Sequence, residues 1–112
     1  MKAVIKREVS CKDIRKHLPP QYNDMIPASL KKSEDMINIV CFPNGNGKVV
    51  TGKLVQSAYN KVGDSSIPTV FFGYCFTLEA RTLILNKGDS FYFLDGYDWT
   101  DERWNKIHNG NW

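Results

Sequence analysis

Three cysteines and two histidines are the side chains in this sequence best suited to nucleophilic catalysis. In such a site an imidazole takes the proton of a nearby thiol, and the thiolate attacks the substrate. The cysteines are Cys11, Cys41 and Cys75, and the histidines are His17 and His108. Nothing local marks any of these thiols as a nucleophile, and cysteines in apolar segments are usually inert core residues. The sequence therefore predicts no catalytic residue, and a small enzyme with a Cys/His or carboxylate site is an alternative.

A phosphate-binding motif is the most specific pattern match in the chain. Residues 47–54 (GKVVTGKL) fit G-x-x-x-x-G-K, in which backbone amides and a lysine hold nucleotide phosphates. However, Leu54 stands where a Ser or Thr hydroxyl would bind Mg²⁺. The Val-Val-Thr run inside the motif also prefers an extended backbone. We therefore interpret this segment as the second strand of a β-hairpin and predict no cofactor.

Four carboxylates crowd into a short stretch near the C-terminus and could bind a hard cation through oxygen ligands. They are Asp95, Asp98, Asp101 and Glu102. Their spacing is not that of an EF-hand loop. An N-cap at Asp98 or Thr100, with Asp101 and Glu102 in the positive first turn of a helix, explains the pattern better. No Cys/His spacing suits structural zinc either, so the sequence predicts no metal site.

Charge is distributed unevenly along the chain. Residues 1–61 carry eleven Lys/Arg against five Asp/Glu, whereas residues 62–112 carry four against seven. A basic surface is the electrostatic requirement for nucleic-acid binding, and a basic patch on the first strand and helix provides the alternative function. Its predicted members are Lys6, Arg7, Lys12, Arg15, Lys16 and Lys53.

The remaining composition indicates one cytoplasmic domain with no membrane partner. A chain of 112 residues is predicted to form a single domain over residues 1–112. It contains no apolar run of the roughly 18 residues that a membrane-spanning helix needs. The N-terminus lacks the apolar region of a secretory signal. Three scattered cysteines are typical of a reducing compartment.

Hydrophobic periodicity and turn residues predict the order β-α-long loop-β-β-β-β-β-α. The predicted strands cover residues 2–9, 36–42, 48–59, 69–78, 80–86 and 90–94. A helix opened by Ser10 ends before Pro19-Pro20, a helical turn is predicted at 22–25, and a second helix covers about residues 98–110. From residue 69 onward the chain holds eleven of its fourteen aromatic residues, and these are predicted to fill the core.

These elements predict an α+β fold with an antiparallel sheet of five to six strands. An N-terminal and a C-terminal helix pack on the sheet, and a small, partly closed β-barrel is the alternative. Without catalytic groups or metal ligands, the function predicted is that of a small non-enzymatic regulatory or accessory protein. It binds a macromolecular partner, with another protein favoured and homo-oligomers through an open sheet edge as a further option. The predicted contact residues are Tyr22, Tyr97, Trp99 and Trp112.

Overall fold

The computed structural model of the protein describes residues 3–18, 26–42, 49–73 and 75–93. These residues form one sheet of four strands, four α-helices and a short 3₁₀ helix. The elements in chain order are β1 (Val4–Ser10), a 3₁₀ helix (Cys11–Asp13), α1 (Ile14–His17), α2 (Ala28–Lys32), β2 (Met36–Phe42), α3 (Gly52–Val62), β3 (Thr69–Gly73), α4 (Leu78–Asn86) and β4 (Ser90–Phe93). The mixed α and β class is confirmed, but the number and direction of the strands are not.

The sheet has the order β1-β2-β3-β4 and is mostly parallel. Strand β1 runs antiparallel to β2, whereas β2, β3 and β4 are parallel, with Ile39 opposite Val70 and Phe71 opposite Phe91. Parallel neighbours need a crossover connection, usually a helix, and α3 and α4 supply these crossovers. The predicted antiparallel sheet of five to six strands is therefore wrong, and the described strands form an open sheet rather than the alternative barrel.

Helix α3 replaces the strand that was predicted over residues 48–59. Its N-cap is Thr51, whose side-chain oxygen accepts a hydrogen bond from the Leu54 amide at 3.3 Å. Val55, Ala58 and Val62 are buried at helical spacing on one face. This periodic burial outweighs the strand preference of the β-branched residues, because tertiary packing routinely overrides local propensity.

Helix α4 replaces the strand that was predicted over residues 80–86. Thr77 caps its N-terminus by accepting a hydrogen bond from the Ala80 amide at 3.1 Å. At the other end the Asp89 amide donates to Ile84 and the Gly88 amide donates to Leu85. Those two bonds, with Gly88 at φ 76°, form a Schellman motif. The turn at residues 87–89 therefore ends a helix instead of joining two antiparallel strands.

The sheet is covered on both faces. One core cluster joins strand residues such as Val40 and Phe71 to the buried sides of α3 and α4. The opposite cluster joins Ile39 and Phe72 to the 3₁₀ helix, to α1 and to Ile26. Neighbouring residues of a strand point to opposite faces, which explains this division. Phe71 and Phe72 are both 0% exposed, so the aromatic run fills two layers of core.

The N-terminal half follows the prediction more closely. Strands β1 and β2 occupy the predicted positions, and the helix predicted after Ser10 forms as the 3₁₀ helix followed by α1. The long connection contains α2, which was not predicted. The helical turn predicted over 22–25 and the helix predicted over 98–110 lie outside the described residues. No helix in the described ranges is long and apolar enough to span a membrane.

Gly63, which ends α3, adopts φ 76° and ψ −169°, a region that is open essentially to glycine alone. We expect Gly63→Ala to lower the free energy of unfolding by about 1–3 kcal/mol. Nothing lies within 4 Å of an added Cβ, so the loss would come from backbone strain and not from a clash. Urea denaturation of the variant measures this loss. Lys61→Ala, at an exposed position of the same helix, should change stability by no more than about 0.5 kcal/mol, and equal effects of the two substitutions would contradict this assignment.

Candidate functional site

A polar groove lies where α3 and α4 end, at the edge of the sheet where β3 and β4 begin. It has a volume of about 270 Å³ and continues into a second depression along α3. Its main polar and aromatic lining residues are Tyr59, Asp64, Ser65, Ser66, Lys87 and Asp89. The connections at 63–68 and 87–89 form its walls, so one helix C-terminus leads into each wall.

Tyr59 and Asp89 fix one side of this polar groove. The Tyr59 hydroxyl donates a hydrogen bond to Asp89 Oδ2 at 2.7 Å, and the Thr69 amide donates to Asp89 Oδ1 at 3.0 Å. Burial, and then the Asp89 carboxylate, raise the pKa of Tyr59 well above its ordinary value. Tyr59 is therefore protonated throughout the physiological range and acts here as a hydrogen-bond donor and an aromatic surface.

Lys87 and Asp64 are the exposed charged residues of the polar groove, whose third charged side chain, Asp89, is already hydrogen-bonded to Tyr59 and Thr69. The Lys87 ammonium lies 5.1 Å from the centre of the Tyr59 ring, a cation–π geometry. Asp64 is exposed and lines both parts of the groove together with Lys87. Within the described part of the chain no ion pair involves Lys87 or Asp64.

Asn38, which is 0% exposed, anchors the loop that forms the far wall of the polar groove. Its Nδ2 donates to the Ile67 carbonyl at 3.2 Å and to Ser65 Oγ at 3.4 Å. Its Oδ1 accepts from the Glu8 amide at 3.0 Å. Glu8 lies at φ 55° within an irregularity of β1, so the same side chain satisfies a backbone donor that the strand pairing leaves free.

The opposite edge of the sheet, where β2, β3 and β4 end, is where open α/β sheets generally bind ligands. Here the phosphate motif leads into the first turn of α3, so the hairpin interpretation of that segment is wrong. The described part of the motif, residues 49–54, does not form a phosphate cradle. Val50 is extended and fully buried. Its amide donates a hydrogen bond to the Cys75 carbonyl at 2.7 Å, and its carbonyl accepts one from the Thr77 amide at 3.0 Å. The Val50 amide is therefore not available to a phosphate. A Cβ on Gly52 would lie 2.6 Å from Glu79 Oε1, so the Glu79 side chain packs directly against the first residue of α3.

The three thiols differ in environment. Cys41 is fully buried, and burial raises its pKa well above the ordinary value. Cys11 is buried too, and burial is the main cause of its raised pKa. Both therefore carry little of the thiolate that nucleophilic attack requires. Cys75 is half-buried beside the start of α4. Among the described residues, no group of three or more His, Cys, Asp or Glu side chains could hold a metal ion.

Helix α4 exposes two large apolar side chains, Leu78 and Leu85. We call these two residues, together with the exposed Thr82 between them, the α4 leucine face. Leu78 is 73% exposed and Leu85 is 60% exposed. A separation of seven residues places them on one side of the helix, about 20° apart. The opposite side of the helix is packed, since Ala80 and Ile84 are 0% exposed.

The residues of the predicted basic patch lie on β1, the 3₁₀ helix, α1 and α3, which are not all on one side of the sheet. Lys12 pairs with Glu34, and Lys16 Nζ lies 3.4 Å from Asp13 Oδ1. The other members are Lys6, which is half-buried, Arg7 and Arg15, which are exposed, and Lys53, which is exposed on α3. Helix α3 covers the opposite face of the sheet from the 3₁₀ helix and α1, so Lys53 is separated from Lys12, Arg15 and Lys16.

The predicted contact residues Tyr22, Tyr97, Trp99 and Trp112 lie outside the described residues, as does the acidic stretch at 95–102. Lys87 and Asp89 of the groove and the α4 leucine face were not predicted. The signal for that face was present, because Leu78 and Leu85 recur at seven residues alongside Ala80 and Ile84. It appears only if the segment is treated as a helix. A comparison of the chain with protein-family models, curated proteins and solved structures finds no match.

Proposed function

We propose that this protein is a non-enzymatic accessory protein that binds another protein through the α4 leucine face. The observation that carries the proposal is the exposure of Leu78 and Leu85 on one side of a helix whose other side is fully packed. An amphipathic helix that needed only to cover the sheet would have polar residues at these positions. Grouped exposed apolar side chains are typical of protein interaction sites.

The size of the expected effect follows from the apolar area. Burying a leucine side chain contributes about 1.5–3 kcal/mol, and Leu78 and Leu85 each still expose more than half of their surface. Covering both would contribute roughly 2–4 kcal/mol. The rise of 1.5 Å per residue places them about 10 Å apart along the helix, so one apolar surface of a partner can contact both.

Nucleic-acid binding is less well supported. Binding through phosphates requires several unpaired cations on one surface, and Lys12 and Lys16 are already paired with carboxylates. Stacking of bases would also need exposed aromatic rings, and the Phe72 ring is 0% exposed. Both faces of the central strands β2 and β3 are covered, so these two strands offer no platform for bases.

We expect a photo-crosslinking residue at position 82, between the two leucines, to give one discrete protein adduct in the cells that make this protein. Thr82 is exposed, so the replacement does not disturb the core. The double variant Leu78→Asp with Leu85→Asp should reduce the adduct at least roughly 30-fold, which corresponds to about 2 kcal/mol. Adduct yield on a denaturing gel, followed by mass spectrometry, measures the effect.

Met36→Asp is the matched control, because Met36 is an exposed apolar residue at the start of β2 and outside α4. It should leave the adduct unchanged. An adduct with twice the mass of the chain would show self-association instead of a different partner protein. An adduct that nuclease removes, or one that persists in the double leucine variant, would contradict the proposal.

A further inference from the structure

Two exposed residues that line the polar groove, Lys87 and Asp64, carry opposite charges but form no ion pair with each other. The Lys87 ammonium rests over the Tyr59 ring and does not reach the Asp64 carboxylate. A cation and an anion that line one groove without neutralising each other can each bind a group of opposite charge. Ser66, which is exposed on the same loop, adds a hydroxyl that can donate or accept a hydrogen bond.

The walls of the polar groove are fixed by partly buried hydrogen bonds. Asn38 fixes the loop at Ser65 and Ile67, while Asp89 fixes the Tyr59 ring and the start of β3. A site that is ordered before a ligand arrives loses less conformational entropy on binding. The groove is thus built like a binding site and not like a loose surface depression.

We infer that the polar groove binds a small zwitterion of the α-amino-acid type, with Lys87 contacting the carboxylate and Asp64 contacting the ammonium group. A cavity of roughly 150 Å³ holds a benzene molecule, and the polar groove has a volume of about 270 Å³. That volume suits a ligand of about ten non-hydrogen atoms. This inference goes beyond the proposed protein contact and uses none of the α4 leucine face.

Other ligand classes fit less well. A nucleotide or polyphosphate needs several cations or a cradle of amides, and Lys87 is the one Lys or Arg among the described residues that line this groove. A purely apolar compound would leave Asp64, Ser66 and Lys87 without partners. A metal cation in the groove would be repelled by the Lys87 ammonium group.

We expect L-glutamine to shift the amide resonances of Gly63 and Gly88 in the ¹⁵N-labelled full-length protein. The effect should saturate with a dissociation constant between about 10 µM and 1 mM, which a titration to about 10 mM would reveal. N-acetyl-L-glutamine lacks the ammonium group, and L-glutamine amide lacks the α-carboxylate. Each should bind at least about tenfold more weakly, because each loses one charge-assisted contact.

Asp64→Asn and Lys87→Gln, both at exposed positions, should each weaken L-glutamine binding at least about tenfold. Lys61→Gln is the matched control, since Lys61 is exposed on α3 and does not line the groove. The leucine double variant should bind L-glutamine normally, so failure of the proposed protein contact would be distinguishable. The inference is overturned if no resonance shifts, or if the acetylated and amidated compounds bind as well as L-glutamine.

Discussion

Phe72→Ala is expected to lower the free energy of unfolding by about 3–5 kcal/mol, and Phe71→Ala by a similar amount. Both side chains are 0% exposed although they are neighbours on β3. Phe72 packs with Tyr92 on the face covered by α1, at a ring distance of 5.6 Å. Phe71 packs edge to face with Tyr59 on the α3 face, at 5.2 Å. Each substitution therefore opens a cavity in a different layer.

Thermal and urea denaturation measure both losses. If either alanine variant does not fold, Phe72→Leu and Phe71→Leu should remain folded with smaller losses, because less volume is removed. Leu85→Ala is the control for the loss of an exposed apolar side chain and should change stability by about 0.5 kcal/mol or less. A large loss at one phenylalanine and none at the other would mean that only one face of β3 is covered.

Asn38→Leu is expected to lower the free energy of unfolding by about 2–4 kcal/mol. Leucine has a similar size, so the loss arises from hydrogen bonds and not from a cavity. The Glu8 amide and the Ile67 carbonyl would each lose a partner. A buried polar group left without a partner costs roughly 1–3 kcal/mol.

The measurement is denaturant unfolding, combined with hydrogen exchange over residues 63–68. Exchange there should become faster, because Asn38 fixes that loop. Asn86→Leu makes the same substitution at an exposed helix position and should change stability by about 0.5 kcal/mol or less. Normal stability of Asn38→Leu would show that water satisfies both backbone groups.

The strands of this fold were easier to predict from the sequence than its helices. Strand β2 has the predicted bounds, and β1 and β4 differ from prediction by a few residues at their ends. Helices α3 and α4 were both predicted as strands, since Val49-Val50-Thr51 and Leu83-Ile84-Leu85 favour strands locally. The caps Thr51 and Thr77 were the opposing signals, and only the buried face of each helix made them decisive.

That error in two elements also explains why the candidate sites were missed. With both segments treated as strands, Leu78 and Leu85 have no common exposed side, and Tyr59 and Lys87 have no reason to meet. Asn38 looks like a polar interruption in an apolar strand, because its partners Ser65 and Ile67 are far along the chain. Long-range pairs of this kind depend on strand order, which periodicity does not determine.

The absence of any hairpin between consecutive described strands has a kinetic consequence. Each strand is separated from its partner by at least one helix, so no strand pair can form by zipping outward from a tight turn. The chain must lose the conformational entropy of closing a loop as long as a helix before the first hydrogen bonds between two strands can form. Folding should therefore be slow for a chain of this size. Among the described strands β4 pairs with β3 alone, so it can join the sheet only where β3 is already in place.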